Sequence, residues 1–133
     1  MSLLRRPVTA SVATLAAAAV VAGPVAVLTA GSASAAEREG RCDGAETQLE
    51  VEREDGRFEV DADIDDATPG SRWKIVLKQD GRTYVSTTRR ADRDGEISID
   101  RNRPNTRGAD VFTMTVNKVG TGGSCTHTIR FAR

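Results

Sequence analysis

Hydrophobic and polar residues alternate with a period of two from residue 47 onward, which is the spacing of side chains on one face of a β-strand. Groups of Gly, Pro, Asp and Asn interrupt the alternation every ten residues or so, as turns do between short strands. No part of this region has the 3.6-residue period of an amphipathic helix. The pattern predicts seven strands, A to G, at 47–53, 57–65, 72–79, 82–90, 96–101, 110–119 and 125–131.

Turn residues define the connections between these strands. Asp55-Gly56 and Asp80-Gly81 are hairpin signals, because both residue types accept the positive φ angles of two-residue turns. Residues 36–44 lack alternation and are predicted to be an irregular lead, whereas 102–108 are predicted to be the longest polar loop. Strand D alternates poorly, which is typical of an edge strand.

Seven short strands without helices are typical of a two-layer sandwich. The predicted fold is an all-β, seven-stranded, immunoglobulin-like antiparallel β-sandwich, with strands A, B and E in one sheet and C, D, F and G in the other. Trp73 on strand C suits the core of such a sandwich. The disulfide between strands B and F of antibody domains is absent, and a small barrel is the alternative fold.

The N-terminal segment has the features of a secretory signal peptide. A basic start at Arg5-Arg6 precedes an uncharged apolar stretch, and Ala33-Ser34-Ala35 fits a small-x-small cleavage pattern. Residues 1–35 are therefore predicted to be a cleaved signal peptide, and 36–133 the secreted mature domain. An uncleaved membrane anchor is the alternative, and the paired arginines leave both the general and the twin-arginine export routes open.

Two cysteines, Cys42 and Cys125, are present in the chain. In an exported protein, two cysteines most simply form one disulfide. Cys42 precedes strand A and Cys125 opens strand G, and the starts of these strands are neighbours if the two strands run parallel. The predicted bridge thus agrees with the predicted sandwich.

The charge balance of the mature part narrows the choice of partner. All 19 acidic residues lie in it, and two of the 19 basic ones lie in the signal peptide, so its net charge is −2. A near-neutral domain without a basic excess argues against nucleic acid. No second apolar segment is long enough to span a bilayer, so no membrane contact is expected after cleavage. We expect a monomer, although pairing through strand D or G is compatible with the composition.

The outward positions of strands A, B and E are strongly acidic, whereas those of the other sheet are rich in Thr and mildly basic. This two-sided charge has three interpretations: solubility, a binding surface for an extracellular protein or a cell-wall polymer, and a calcium-stabilised structural domain. Acids two apart on a strand project in parallel, so only the turn pair Asp65 and Asp66 is a candidate for a metal. The candidate binding surface consists of Glu50, Glu52, Glu59, Asp61, Asp63, Asp100, Arg101 and Arg103.

Catalytic motifs are sparse. The chain has one histidine, His127, on the last strand, and no Gly-x-Ser-x-Gly elbow. Paired carboxylates for a small secreted hydrolase require a cleft that raises one pKa, and acids on a flat wet face do not meet that condition. No catalytic residue and no cofactor are predicted, and a non-enzymatic protein is expected.

Several short motifs resemble a group of small secreted actinobacterial proteins of unknown function. The shared pattern is a cysteine after the signal, an EDGR-like hairpin, Arg-Trp before a strand, an Arg-Asn-Arg loop, and a late cysteine before the last strand. In this chain the pattern corresponds to Cys42, Glu54 to Arg57, Arg72-Trp73, Arg101 to Arg103, and Cys125. The resemblance implies a secreted sandwich domain and no particular activity.

Overall fold

Two four-stranded antiparallel β-sheets make up the computed structural model, which describes residues 34–133. Within that range there is no helix that is long and apolar enough to cross a membrane. The predicted signal peptide lies outside the described residues except for Ser34 and Ala35. The strands are β1 Ala35–Cys42, β2 Ala45–Glu54, β3 Arg57–Asp65, β4 Arg72–Gln79, β5 Arg82–Arg90, β6 Ile97–Pro104, β7 Asp110–Lys118 and β8 Cys125–Phe131.

The partition of strands between the sheets agrees with the prediction. Strands A to G correspond to β2 to β8. The first sheet has the order β1-β2-β3-β6 and the second the order β5-β4-β7-β8, with every neighbouring pair antiparallel. The weakly alternating β5 lies at an edge of the second sheet, as its sequence indicates.

The number of strands was predicted incorrectly. Eight strands are present among the described residues, because the expected irregular lead forms β1 and pairs with β2 along its whole length. Its inward positions include Arg38 and Gly40, so the apolar alternation that marks a strand is missing. Asp43 and Gly44 join β1 to β2 with φ angles of 46° and 83°, as in the two predicted Asp-Gly hairpins.

Strand E is also longer than predicted. The structure extends this strand, β6, from the expected end at Arg101 to Pro104, within the segment predicted to be a loop. Asn102, Arg103 and Pro104 lie opposite Glu59, Phe58 and Arg57 of β3. A proline is tolerated here because it ends a strand at the edge of the sheet.

The core lies between the two sheets and is built from the residues that alternate inward. Trp73 is completely buried, and its indole nitrogen donates a hydrogen bond of 2.9 Å to the hydroxyl of Ser71. Phe58 of the first sheet packs edge-on against Phe112 of the second, with ring centroids 4.9 Å apart. Phe131 completes this aromatic group, 5.1 Å from Phe58.

The disulfide between Cys42 and Cys125 is present and links the sheets at one end of the sandwich. It joins the end of β1 to the start of β8, with Cα atoms 5.9 Å apart and a sequence separation of 83. At the other end of β8, the guanidinium of Arg53 donates a hydrogen bond to the carbonyl of Ala132. The same guanidinium lies 5.2 Å from the ring centroid of Phe58.

Candidate functional site

The outer face of the first sheet carries most of the acidic side chains of the molecule. Eighteen residues of β1, β2, β3 and β6 alternate outward, and two of them are basic: Arg41 and Arg57, at opposite ends. Eleven others are acidic, and we call them the acidic face. They are Glu37, Glu39, Glu46, Glu50, Glu52, Glu54, Glu59, Asp61, Asp63, Asp65 and Asp100.

The register of the four strands aligns these acids in rows across the sheet. Glu37 lies opposite Glu50, Glu50 opposite Asp61, and Asp61 opposite Asp100, so one carboxyl comes from each strand. Directly opposed side chains have Cβ atoms about 5 Å apart, and like charges at that distance repel. This central row is therefore the point at which carboxyl groups are most closely spaced on the acidic face.

Asp61 lies within this central row, between Glu50 of β2 and Asp100 of β6. Partial burial, a hydrogen bond with Asp100, and the negative charges of Asp100, Glu59 and Asp63 raise the pKa of Asp61 to about 7. A hydrogen bond with Glu39, slight desolvation and the charges of Glu39 and Glu50 also raise the pKa of Glu37. Asp61 and Glu37 thus bind protons more tightly than isolated carboxylates do.

A shallow cleft lies at the end of the acidic face near the disulfide. Its volume is about 260 Å³. Arg41 spans part of the cleft, with a guanidinium nitrogen 3.0 Å from a carboxylate oxygen of Glu46. Burial and the charges of neighbouring acids raise the pKa of Asp65 on its wall. The residues that line the cleft are Glu39, Gly40, Arg41, Glu46, Thr47, Gln48 and Asp65.

The outer face of the second sheet has the opposite character. Among the fifteen residues of β4, β5, β7 and β8 that alternate outward, none is acidic, five are basic and six are threonines. We call this surface the Thr/basic face. Thr115 and Thr126 lie opposite each other, with hydroxyl oxygens 3.2 Å apart. Its basic residues are Arg72, Lys74, Lys78, Arg90 and Arg130, and its threonines are Thr83, Thr88, Thr113, Thr115, Thr126 and Thr128.

The predicted binding residues separate into two groups. Glu50, Glu52, Glu59, Asp61, Asp63 and Asp100 all lie on the acidic face. Arg101 and Arg103 do not, because they lie opposite Val60 and Phe58, whose side chains point between the sheets.

Arg103 has a structural role at the edge of the sandwich. Its Nε donates a hydrogen bond of 2.9 Å to Gln79, and its guanidinium stacks 4.2 Å from the ring centroid of Tyr84. Burial raises the pKa of Tyr84 to about 12, while the charges of Arg103 and Arg101 act in the opposite direction. Arg103 thereby connects the edge strands β5 and β6.

A buried polar cluster beside Arg103 is not apparent from the sequence. Asp110 is fully buried and accepts hydrogen bonds from the side-chain amide of Gln79 at 2.9 Å and from the hydroxyl of Thr106 at 2.6 Å. The Gln79 amide also donates to the carbonyl of Pro104 at 2.8 Å. The cluster fixes the loop after β6 against the β4–β5 hairpin, and its partners come from segments distant in sequence.

His127, the residue weighed for catalysis, lies behind the acidic face. Its Nε2 is 2.7 Å from the hydroxyl oxygen of Thr47, which also lies 3.2 Å from the carbonyl of Gly40. Burial lowers the pKa of His127. Thr47 is only 1% exposed, so its hydroxyl is closed to a substrate. We interpret the pair as a packing contact between β2 and β8.

The candidate metal ligands lie at the end of β3. Asp65 ends the strand, and Asp66 follows it with a φ angle of 54°. Among residues 34–133, no group of three or more His, Cys, Asp or Glu side chains is arranged to hold a metal ion. The outward acids project in parallel along extended strands, as their spacing predicts.

No protein family, curated protein or solved structure matches the chain. The resemblance to small secreted actinobacterial proteins stays a prediction from the motifs.

Proposed function

We propose that this chain is a secreted, non-enzymatic binding domain whose acidic face contacts a positively charged surface outside the cell. The observation that carries the proposal is the separation of charge between the sheets. Eleven of eighteen outward positions are acidic on one face, and none of fifteen is acidic on the other. A domain that needed charge only for solubility does not require this separation, because interspersed charges serve equally well.

The acidic face also carries an energetic cost. Directly opposed acids reduce the stability of a sheet, and the central row opposes them three times across four strands. A cationic partner relieves that repulsion when it binds. Binding is therefore favoured both by direct attraction to the partner and by relief of the repulsion between the acids.

We also propose that the sandwich is immunoglobulin-like, which is compatible with a binding role. The order β5-β4-β7-β8 supports this proposal, since it can be matched to strands C′, C, F and G of that fold, with Trp73 on the strand matched to C. Two sheets joined by a disulfide that spans 83 residues hold the acidic face rigid. A rigid face loses little conformational entropy on binding.

Export is the natural context for this domain. A disulfide persists in oxidising compartments, and the small-x-small pattern ends at Ala35, the first residue of β1. Cleavage after Ala35 leaves β1 intact from Ala36 onward. Interaction with an extracellular protein or wall polymer follows from secretion and the charge of the acidic face.

Chromatography on immobilised polymers tests the proposal. The secreted protein, purified from culture medium, is applied at low salt to polylysine and to polyglutamate, two supports of the same backbone and opposite charge. We expect retention on polylysine and elution between about 0.1 and 0.3 M NaCl, where the Debye length falls below 10 Å. Passage through polylysine without retention at 10 mM NaCl would refute the proposal.

A further inference from the structure

The two outer faces of the sandwich match in shape and size. Each is a four-stranded antiparallel sheet, and each described strand has seven to ten residues. Four strands about 4.8 Å apart, with seven residues at about 3.4 Å each, give a flat area of roughly 450 Å² per face. The two sheets lie back to back, so the faces point in opposite directions.

Their chemistry is complementary as well. Carboxylates on the acidic face are acceptors of hydrogen bonds, whereas Lys, Arg and Thr on the opposite face supply donors. Lys74 and Lys78 lie on β4, an inner strand of the second sheet, and face outward; Lys78 lies between Thr83 and Thr113, and Lys74 between Thr88 and Asn117. Within the described residues, no other segment is placed over either face.

Like charges restrict how two copies can meet. Two acidic faces repel each other, and so do two Thr/basic faces, so a symmetric contact between identical faces is disfavoured. Contact between unlike faces is heterologous. Because the faces of one copy point in opposite directions, each bound copy still presents a free face, and the contact generates open chains rather than a closed ring.

We propose that the acidic face of one copy docks on the Thr/basic face of a second copy, so that the domains associate head to tail. This inference rests on the proposed function, since it identifies a cationic surface that the acidic face fits. The area of roughly 450 Å² per partner is below the roughly 800 Å² of a standard interface, so the association is weak. It is also salt-dependent, because the Debye length falls from about 30 Å at 0.01 M to about 8 Å at 0.15 M. Monomers therefore predominate in dilute solution at physiological salt.

Sedimentation velocity on the purified secreted protein tests the association. The weight-average mass is measured from 10 µM to 1 mM protein, in 10 mM and in 500 mM NaCl. We expect a mass that rises with concentration beyond that of a dimer in 10 mM NaCl and a monomer in 500 mM NaCl. A monomer at 1 mM protein in 10 mM NaCl would overturn the proposal.

Two variants separate the faces. The acidic-face variant carries Glu50→Gln and Asp63→Asn, and the basic-face variant carries Lys74→Gln and Lys78→Gln. All four positions face outward, and circular dichroism checks that both variants fold. We expect at least a fivefold weaker self-association for each variant alone. An equimolar mixture of the two should form dimers that do not grow further, because each variant retains one intact face. Unchanged association of either variant, or a mixture without dimers, would overturn the head-to-tail arrangement.

The polylysine support distinguishes this inference from the proposed function. A protein that binds polylysine but stays monomeric refutes self-association alone. A protein that neither binds polylysine nor associates refutes both.

Discussion

Asp61 on β3 and Asp100 on β6 lie directly opposite each other on the acidic face. Partial burial and the adjacent Asp100 carboxyl raise the pKa of Asp61 to about 7. Glu50, Glu59 and Asp63 surround Asp61 with further negative charge. Asp61 therefore holds a proton at a pH at which isolated carboxyl groups are ionised.

This proton makes stability dependent on pH. The pKa of Asp61 is about 7 in the folded protein and near 3.8 in the unfolded chain, so the folded state binds more protons between these values. The free energy of unfolding should consequently fall as pH rises from about 4 to 7 through this group. His127 acts in the opposite direction, since its pKa is lowered. Urea unfolding of the wild type and of Asp61→Asn isolates the contribution, and a difference between them that does not vary with pH would contradict it.

Neutralising the opposing acid should stabilise the domain. At pH 8, Asp100→Asn removes a like charge and supplies an amide donor, so we expect a gain of about 0.5 kcal/mol in the free energy of unfolding. Asp94→Asn is the control, because Asp94 is an exposed loop acid outside the acidic face. Urea unfolding compares the two, and equal effects would show that only net charge matters.

The disulfide should supply a large part of the stability. Closing a loop of 83 residues lowers the entropy of the unfolded chain and stabilises the fold by roughly 4.5 kcal/mol in the chain-entropy model. Total stabilities of small domains are about 5–15 kcal/mol. Cys42→Ser combined with Cys125→Ser should therefore shift the urea midpoint strongly downward. A shift equivalent to less than about 1 kcal/mol would contradict this role.

The close approach of Gly40 on β1 to His127 on β8 gives a prediction that a second, compensating substitution can check. A Cβ atom at Gly40 would lie 2.9 Å from Cε1 of His127, so Gly40→Ala should displace the imidazole and cost about 1–3 kcal/mol. Adding His127→Ser removes the clash, and the double variant should lose less stability than the single variants together. Thermal melting of the four proteins measures the coupling, and additive losses would rule out the contact.

Calcium should have no specific effect. The outward acids project in parallel, and no metal-binding group of three or more such side chains occurs in residues 34–133. Calcium and magnesium at equal ionic strength should therefore shift the melting temperature equally, by screening alone. A clearly larger shift with calcium, lost in Asp65→Asn, would instead support the calcium-stabilised domain.

The sequence predicts much of this architecture because most strands have one apolar and one polar side. The alternation at Phe58, Val60 and Ala62 assigns the acids of β3 to the outer face, and the structure confirms that assignment. The alternation does not predict β1, because Arg38 and Gly40 occupy the inward positions of this edge strand. The turn pair Asp43-Gly44 was the signal that could have revealed this strand, since it repeats the hairpin chemistry of Asp55-Gly56.

The same period-two alternation, extended along β6 beyond Ile99, would have shown that Arg101 and Arg103 do not belong to the acidic face. Ile97 and Ile99 point inward, and so Arg101 and Arg103 fall on the inward side of an edge strand. The contacts of Asp110 with Gln79 could not have been predicted in this way. They join residues 31 apart in sequence, and a periodic pattern contains no information on such distances.

The affinity of the protein for polylysine, measured with two matched variants, tests the central claim most directly. Glu50→Gln with Asp63→Asn removes two charges from the acidic face, whereas Asp66→Asn with Asp94→Asn removes two exposed charges from loops. At 20 mM NaCl we predict that the first pair weakens binding by about 1 kcal/mol, or roughly fivefold, and that the second leaves it within about twofold. Equal losses for both pairs, or no loss for the first, would contradict the assignment of binding to the acidic face.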